Sequence, residues 1–186
     1  MKHVKGILFV DYVRMLRAHK GTQLEDYLQA GDLEYLNQRI DPAGWYPMDV
    51  YERMGLAILV EIAGDNLELV RNWGRQTIDE LALAQPELFA YADTREAFMR
   101  FQVLRQSLFD FPAVRITAIH DGEARLEISY GMSPRAEQAA THQSIGFLQR
   151  LLEISGASNP DVRLRARSWD GDDTTVLLVR WQQSSR

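Results

Sequence analysis

"VRITAIHDGEARLEISYGMSPRAEQAATHQSIGFLQRLLEISG", residues 114–156, changes its period partway through. In the run up to Tyr130, Ala124, Leu126, Ile128 and Tyr130 point one way, and Arg125, Glu127 and Ser129 the other. A period of two means a strand with one buried face. Asp121-Gly122, between this run and "VRITAIH", is a hairpin signal. From about residue 136 to 155 the spacing turns helical, with Ala140, Phe147, Leu151 and Ile154 inward and Gly156 as the stop. "DVRLRARSW" and "TTVLLVRW" then flank the turn Asp170-Gly171-Asp172-Asp173. Two hairpins joined by a helix predict a four-stranded antiparallel sheet.

Toward the N-terminus the pattern is helical. Met48, Tyr51, Gly55, Ile58 and Ile62 share one face after Pro47, a residue suited to the first helical position, and Gly64 ends that helix. Asp65 with Glu68 resembles a capping box for the next helix, whose inner stripe is Leu67, Val70, Gly74, Thr77, Ile78 and Leu81. A further helix, about 94 to 110, carries Phe98, Phe101, Leu104, Leu108 and Phe109. The fold class expected is α+β: one domain over 1–186, with a helical part (1–111) and a sheet part (112–186).

Bulk properties exclude several functions. The 186 residues suffice for one sizeable core. A net charge of −5 argues against a nucleic-acid or anionic-membrane binder. The absence of cysteine removes thiolate nucleophiles, iron–sulfur clusters, disulfides and thiolate zinc sites. Asp11 and Arg14 interrupt the short apolar run Ile7–Val10, so a signal peptide is not expected, and no run is long enough to span a membrane. The expected location is the cytoplasm.

Within "YGMSPR" lie Tyr130, Ser133 and Arg135. Two hydroxyls beside a guanidinium can grip an anion. Equally, Ser133 before Pro134 is a helix cap with proline at the first position. Arg163, Arg165 and Arg167 alternate along one strand, joined by Arg180 from its neighbour, and make either a solvated face or a docking surface for a protein partner. Of the four histidines, His19 suits a helix C-terminus and no pair has metal-site spacing. No phosphate loop, nucleophile elbow or supported Ser/His/Asp order is present, so no catalytic residue is named and an enzyme is not expected.

The order of motifs resembles a known family. "KGILFVDYV", "GWYP", "DNLELVRNWGRQTIDEL", "PELFA" and "YGMSPRAEQAATHQSIGFLQRLLE" together resemble the haem–nitric oxide/oxygen binding (H-NOX) domain of bacterial gas sensors and soluble guanylate cyclase. Haem-free relatives of similar architecture also exist. The resemblance implies a haem cavity between the helices and the sheet, a Tyr-x-Ser-x-Arg clamp for the propionates, and an iron-binding histidine on the helix before the sheet. Here the serine and arginine match as Ser133 and Arg135, but Tyr130 is displaced by one residue, which a bulge at Gly131 would absorb. The expected ligand helix, "REAFMRFQVLRQSLF", has no histidine and offers Gln102 or Gln106 near the matching position. An amide is a poor ligand for haem iron. The resemblance thus implies a bacterial signalling or ligand-binding module without haem, working through a separate protein partner. Trp73, Phe98 and Phe101, with Gln102 and Gln106, would line a pocket for a small acidic or apolar ligand. The alternatives are a gas sensor holding haem through an atypical ligand such as His142, or a carrier of a hydrophobic or tetrapyrrole compound.

Overall fold

In the computed structural model, which describes residues 1–19, 23–84, 86, 89 and 93–183, the chain opens with β1 (His3–Lys5) and α1 (Gly6–Ala18). A short α2 (Ala30–Leu33), β2 (Trp45–Pro47), α3 (Met48–Ala57), α4 (Leu67–Ala84) and α5 (Thr94–Leu108) follow. The "PELFA" stretch lies outside the described residues except for Pro86 and Phe89. The C-terminal part is β3 (Val114–His120), β4 (Glu123–Ile128), α6 (Pro134–Ile154), β5 (Ala157–Ala166) and β6 (Thr175–Gln183). This is the α+β architecture that the change of period predicts. The four long strands form one antiparallel sheet in the order β3-β4-β6-β5, with the two expected hairpins at its sides.

Register explains which face is buried. Ala124 lies opposite Val179 and Val179 opposite Val162; Leu126, Leu177 and Leu164 form the next row. These residues face α5 and α6, whose Phe98, Phe101, Phe147, Leu148 and Leu151 are buried. Burying each such side chain contributes roughly 1.5–3 kcal/mol. The opposite face carries the arginines: Arg163, Arg165, Arg167 and Arg180 are exposed. Arg180 pairs with Glu123 at 2.7 Å and Arg163 with Asp161 at 2.6 Å. Arg167 is drawn to the β5–β6 turn, where its Nη1 lies 3.3 Å from Asp170.

The α4–α6 crossing depends on glycine. A Cβ on Gly74 would lie 2.0 Å from the Gln143 carbonyl oxygen, and one on Gly146 1.9 Å from that of Arg71. Periodicity places Gly74 on the inner stripe of its helix, and its role there is to let two backbones touch.

Four local features differ from the sequence reading. First, β1 and β2 pair antiparallel, His3 opposite Pro47, in a small sheet that the helical pattern does not announce. Second, Pro47 stands just outside α3 in an extended conformation, so the helix starts at Met48. Third, α3 runs on into a π-helical turn, Ile58–Ile62, before Gly64 and Asp65 both adopt positive φ (57° and 61°). Fourth, the cap of α4 is Asn66, whose Oδ1 accepts the backbone N–H of Glu68 (3.0 Å) and Leu69 (3.2 Å). Asp65, in the left-handed region, turns its carboxylate to Arg135 instead.

Candidate functional site

The inner face of α5 reads Phe98, Phe101, Arg105, Leu108, all buried. Three belong in a core. The fourth is a guanidinium, only 7% exposed. Its carbon lies 5.3 Å from the Phe101 ring centre, 5.9 Å from Phe109 and 5.0 Å from Phe147. Its Nη2 donates to Ser144 Oγ at 3.1 Å, and Ser144 Oγ shares a 2.7 Å hydrogen bond with the Tyr130 hydroxyl. The Nε–H of Arg105 is buried without a partner, and among the described residues Arg105 forms no ion pair.

Energetically this arrangement is nearly balanced. Removing an ion from water costs several kcal/mol even after the protein relaxes. Each desolvated cation–π contact returns up to about 2 kcal/mol, and a hydrogen bond from a charged group about 1.5–3 kcal/mol. The Nε–H is thus a donor already stripped of water and not yet answered by the described residues.

Space exists beside the charge. A cavity of about 30 Å³, room for roughly one small group, is walled by Arg105, Tyr130, Ser144, Tyr51 and Gln143. It also touches Leu8, Thr77 and Phe147, and these three residues line a second, larger cleft of about 310 Å³ between α1, α4 and α5. The walls of that cleft are apolar, including Ile7, Val10, Leu81, Leu104 and Leu108, and its rim carries Asp11, Arg14 and Glu80. Burial holds the Asp11 carboxyl above its ordinary value; Arg14 pulls it down and Glu80 pushes it further up. On the other side of the cavity, Tyr12 and Tyr51 stack at 4.3 Å, and the Tyr12 hydroxyl donates to Gln143 Oε1 at 3.0 Å. Burial pushes the Tyr12 hydroxyl up to about 12 and that of Tyr51 well above its usual value, so both stay neutral.

The structure does not bring Tyr130, Ser133 and Arg135 together. Tyr130 continues the inward alternation of β4 and is buried against Phe109. Arg135 is exposed and ion-paired with Asp65. Ser133 occupies the cap position of α6 with Pro134 following, as expected, but its hydroxyl makes no capping bond. Glu137 ties down this turn instead, accepting the backbone N–H of Tyr130 (2.8 Å) and Met132 (3.0 Å). No bulge realigns the tyrosine: β4 pairs with β6 without interruption up to Ile128, and Gly131 lies beyond the strand with φ 73°.

The other expected pocket residues also disperse. Trp73 does not line the Arg105 cavity but a neighbouring one of about 30 Å³ that shares Tyr51, Met132, Ala140 and Gln143 with it, and a cleft of about 290 Å³ beside Tyr12, Gln76 and Glu80. Phe98 and Phe101 pack against Trp181 and Phe147 as core. Gln102 is half-buried and Gln106 exposed, both off the inner face of α5. Arg105 escapes the sequence reading because a charged residue in an apolar stripe reads as solvent-facing. The spacing 98, 101, 105, 108 is the signal that could have found it.

A haem does not fit in the space beside Arg105 as it is packed. Small-molecule sites occupy roughly 300–1,000 Å³, whereas the interior cavity by Arg105 holds about 30 Å³. The inner face of α5 presents Phe98, Phe101, Arg105 and Leu108, none of which is a haem-iron ligand of the usual kind. The histidines lie elsewhere. His3 pairs with Asp110 (2.6 Å), and His120 is exposed at the β3–β4 turn. His142 Nδ1 lies 3.5 Å from Arg71 Nη2, and burial, followed by the Arg71 charge, holds its ring below its ordinary value. Among the described residues no cluster of His, Asp or Glu could hold a metal ion, and no helix is long and apolar enough to cross a membrane.

Comparison with known proteins gives a sharp contrast between sequence and structure. No protein-family model matches the chain, and no curated protein matches it. Solved structures do. The unliganded Fe(II) H-NOX protein from K. algicida superposes with a TM-score of 0.66 over 98% of both chains at 14% identity. The S. oneidensis H-NOX protein in its Fe(II)NO state gives 0.64 over 96% of this chain and 99% of the other, at 15% identity. A point mutant of T. tengcongensis H-NOX gives 0.62 over 97% and 98%, at 19% identity. At such identities the likeness concerns the path of the chain, and along essentially its whole length this protein has an H-NOX-like fold.

Proposed function

We propose that this chain is a non-enzymatic ligand-binding and signalling module, a haem-free relative of the H-NOX gas sensors, acting through a separate protein partner. The observation that carries the reading is Arg105: a guanidinium buried among three aromatic rings on the inner face of α5, the helix on which the resemblance expects the iron ligand. A fixed cation there opposes an iron centre and favours an anionic ligand. Occupancy of the space next to it would bias the packing of α1 and α5 against α6, a population shift that a partner can read. The arginine-bearing outer face of the sheet, with Arg163, Arg165 and Arg167, is the proposed partner surface.

The test is a visible-absorption titration of the purified protein with haem. The expected result is no saturable Soret band. A sharp, stoichiometric band would overturn the haem-free reading and favour the alternative of a haem-binding gas sensor with an atypical ligand.

A further inference from the structure

The proposed function leaves the ligand's chemistry open, and the space around Arg105 narrows it. We infer that the protein binds a small amphiphile head-first, with a carboxylate against Arg105 and a single apolar body in the cleft between α1, α4 and α5. The inference rests on the haem-free reading of the same interior.

Three observations converge. The head site is lined by Arg105, whose Nε–H is buried without a protein partner, and by the hydrogen-bonded Tyr130–Ser144 hydroxyl pair, which keeps one proton to donate to an oxyanion. A guanidinium matches a planar carboxylate through two parallel N–H donors, and a compact head suits a cavity of about 30 Å³. The body site adjoins it: Leu8, Thr77 and Phe147 wall both spaces. At about 310 Å³ the cleft lies at the lower end of small-ligand pockets, roughly 300–1,000 Å³, so it suits one aliphatic chain or a small ring system. The third observation concerns orientation. Asp11 and Glu80 at the rim would repel a carboxylate left at the mouth, whereas Arg105 attracts one that has passed inside. Arg14, the cation of the rim, is 3.5 Å from Asp11.

Calorimetric titration with sodium decanoate, set against decanol (same body, no charge) and acetate (same head, no body), tests this. Decanoate is expected to bind at least about tenfold more tightly than either control, the yield of one charge-assisted hydrogen bond. Arg105→Met should remove that advantage. Leu81→Trp, which fills the cleft and leaves Arg105 in place, should weaken decanoate as well and decides the matter if the first variant does not fold. Equal affinity for decanol, undiminished decanoate binding in a folded variant, or no saturable decanoate binding would each overturn the inference. The haem titration separates the two failures. A Soret band overturns the haem-free reading itself, whereas silence toward both haem and decanoate overturns only the amphiphile.

Discussion

Two of the charged side chains buried among the described residues are held on different terms. Asp32, 3% exposed near the end of α2, is fully answered: Arg53 approaches through Nε at 2.6 Å and Nη2 at 2.9 Å, and the Gln29 backbone N–H adds a third bond at 2.9 Å. Arg105 is nearly as buried and, among the described residues, receives only one hydroxyl and three ring faces. A charge kept for the fold is paired by the fold. Arg105 Nε, like Arg71 Nε, is left as an idle donor in the interior, at a desolvation cost that the protein does not offset.

Breaking the answered charge should have the largest effect. Asp32→Ala strands the Arg53 guanidinium and removes the acceptor of the Gln29 amide. Loss of one partner of a buried pair costs about 3–5 kcal/mol. The lower end, about 3 kcal/mol, is expected because Arg53 stays partly exposed and keeps Asp49 at 3.2 Å. Urea unfolding at neutral pH measures it. The pH dependence has a definite sign. Burial raises the Asp32 carboxyl, but the hydrogen bonds of Arg53 and Gln29 and the Arg53 charge outweigh it, and the net shift is downward. A lowered folded value means stability present above the unfolded value, about 3.9, and lost as pH falls through the folded one. The deficit of the variant should therefore shrink in acid; a deficit constant down to the lowest pH would show that the carboxylate's charge is not what Arg53 senses.

The unanswered charge should respond in the opposite direction. Replacing buried ion pairs or triads by apolar side chains of similar volume is often neutral or stabilising, by about 1–4 kcal/mol; an unpaired buried ion has less attraction to lose, and methionine adapts to irregular space. Arg105→Met is thus expected to leave stability unchanged or raised. A loss of more than about 2 kcal/mol, the worth of one desolvated cation–π contact, would break the comparison. Arg105 would then be a structural cation held by the rings of Phe101, Phe109 and Phe147.

Sequence periodicity carries the sheet because one face is buried, and a half-buried strand has to alternate. Leu126 and Ile128 announce β4 for that reason, and Gly122 with φ 77° and Gly156 with φ 84° mark its turn and the end of α6. Other features leave no such trace. The three-residue strands β1 and β2 are too short to show a period, and a π turn at Ile58–Ile62 uses the same residue types as the α-helix that leads into it. Asp65 and Asn66 are chemically alike as caps, and only the positive φ of Asp65 assigns the task to Asn66. At the site, a linear motif draws attention to Arg135, whereas Arg105 is placed by helical phase alone. The H-NOX resemblance is readable through motif order, but whether its cavity is open or filled depends on side-chain packing, which no motif encodes.

Arg135 and Asp65 supply the smallest effect and the control for the other two. The pair joins the start of α6 to the turn before α4, but both side chains are 53% exposed. Water screens such pairs, and their worth is about 0.2–1 kcal/mol. Arg135→Ala should therefore shift the urea midpoint barely and leave decanoate binding intact. High salt should erase what difference remains, because screening acts on exposed charges and hardly on buried ones. A loss of ligand affinity on this substitution, with Arg105 untouched, would move the anion site out to the start of α6, where the motif first suggested it. The idle donor of Arg105 would then have to be explained by the packing of the core alone.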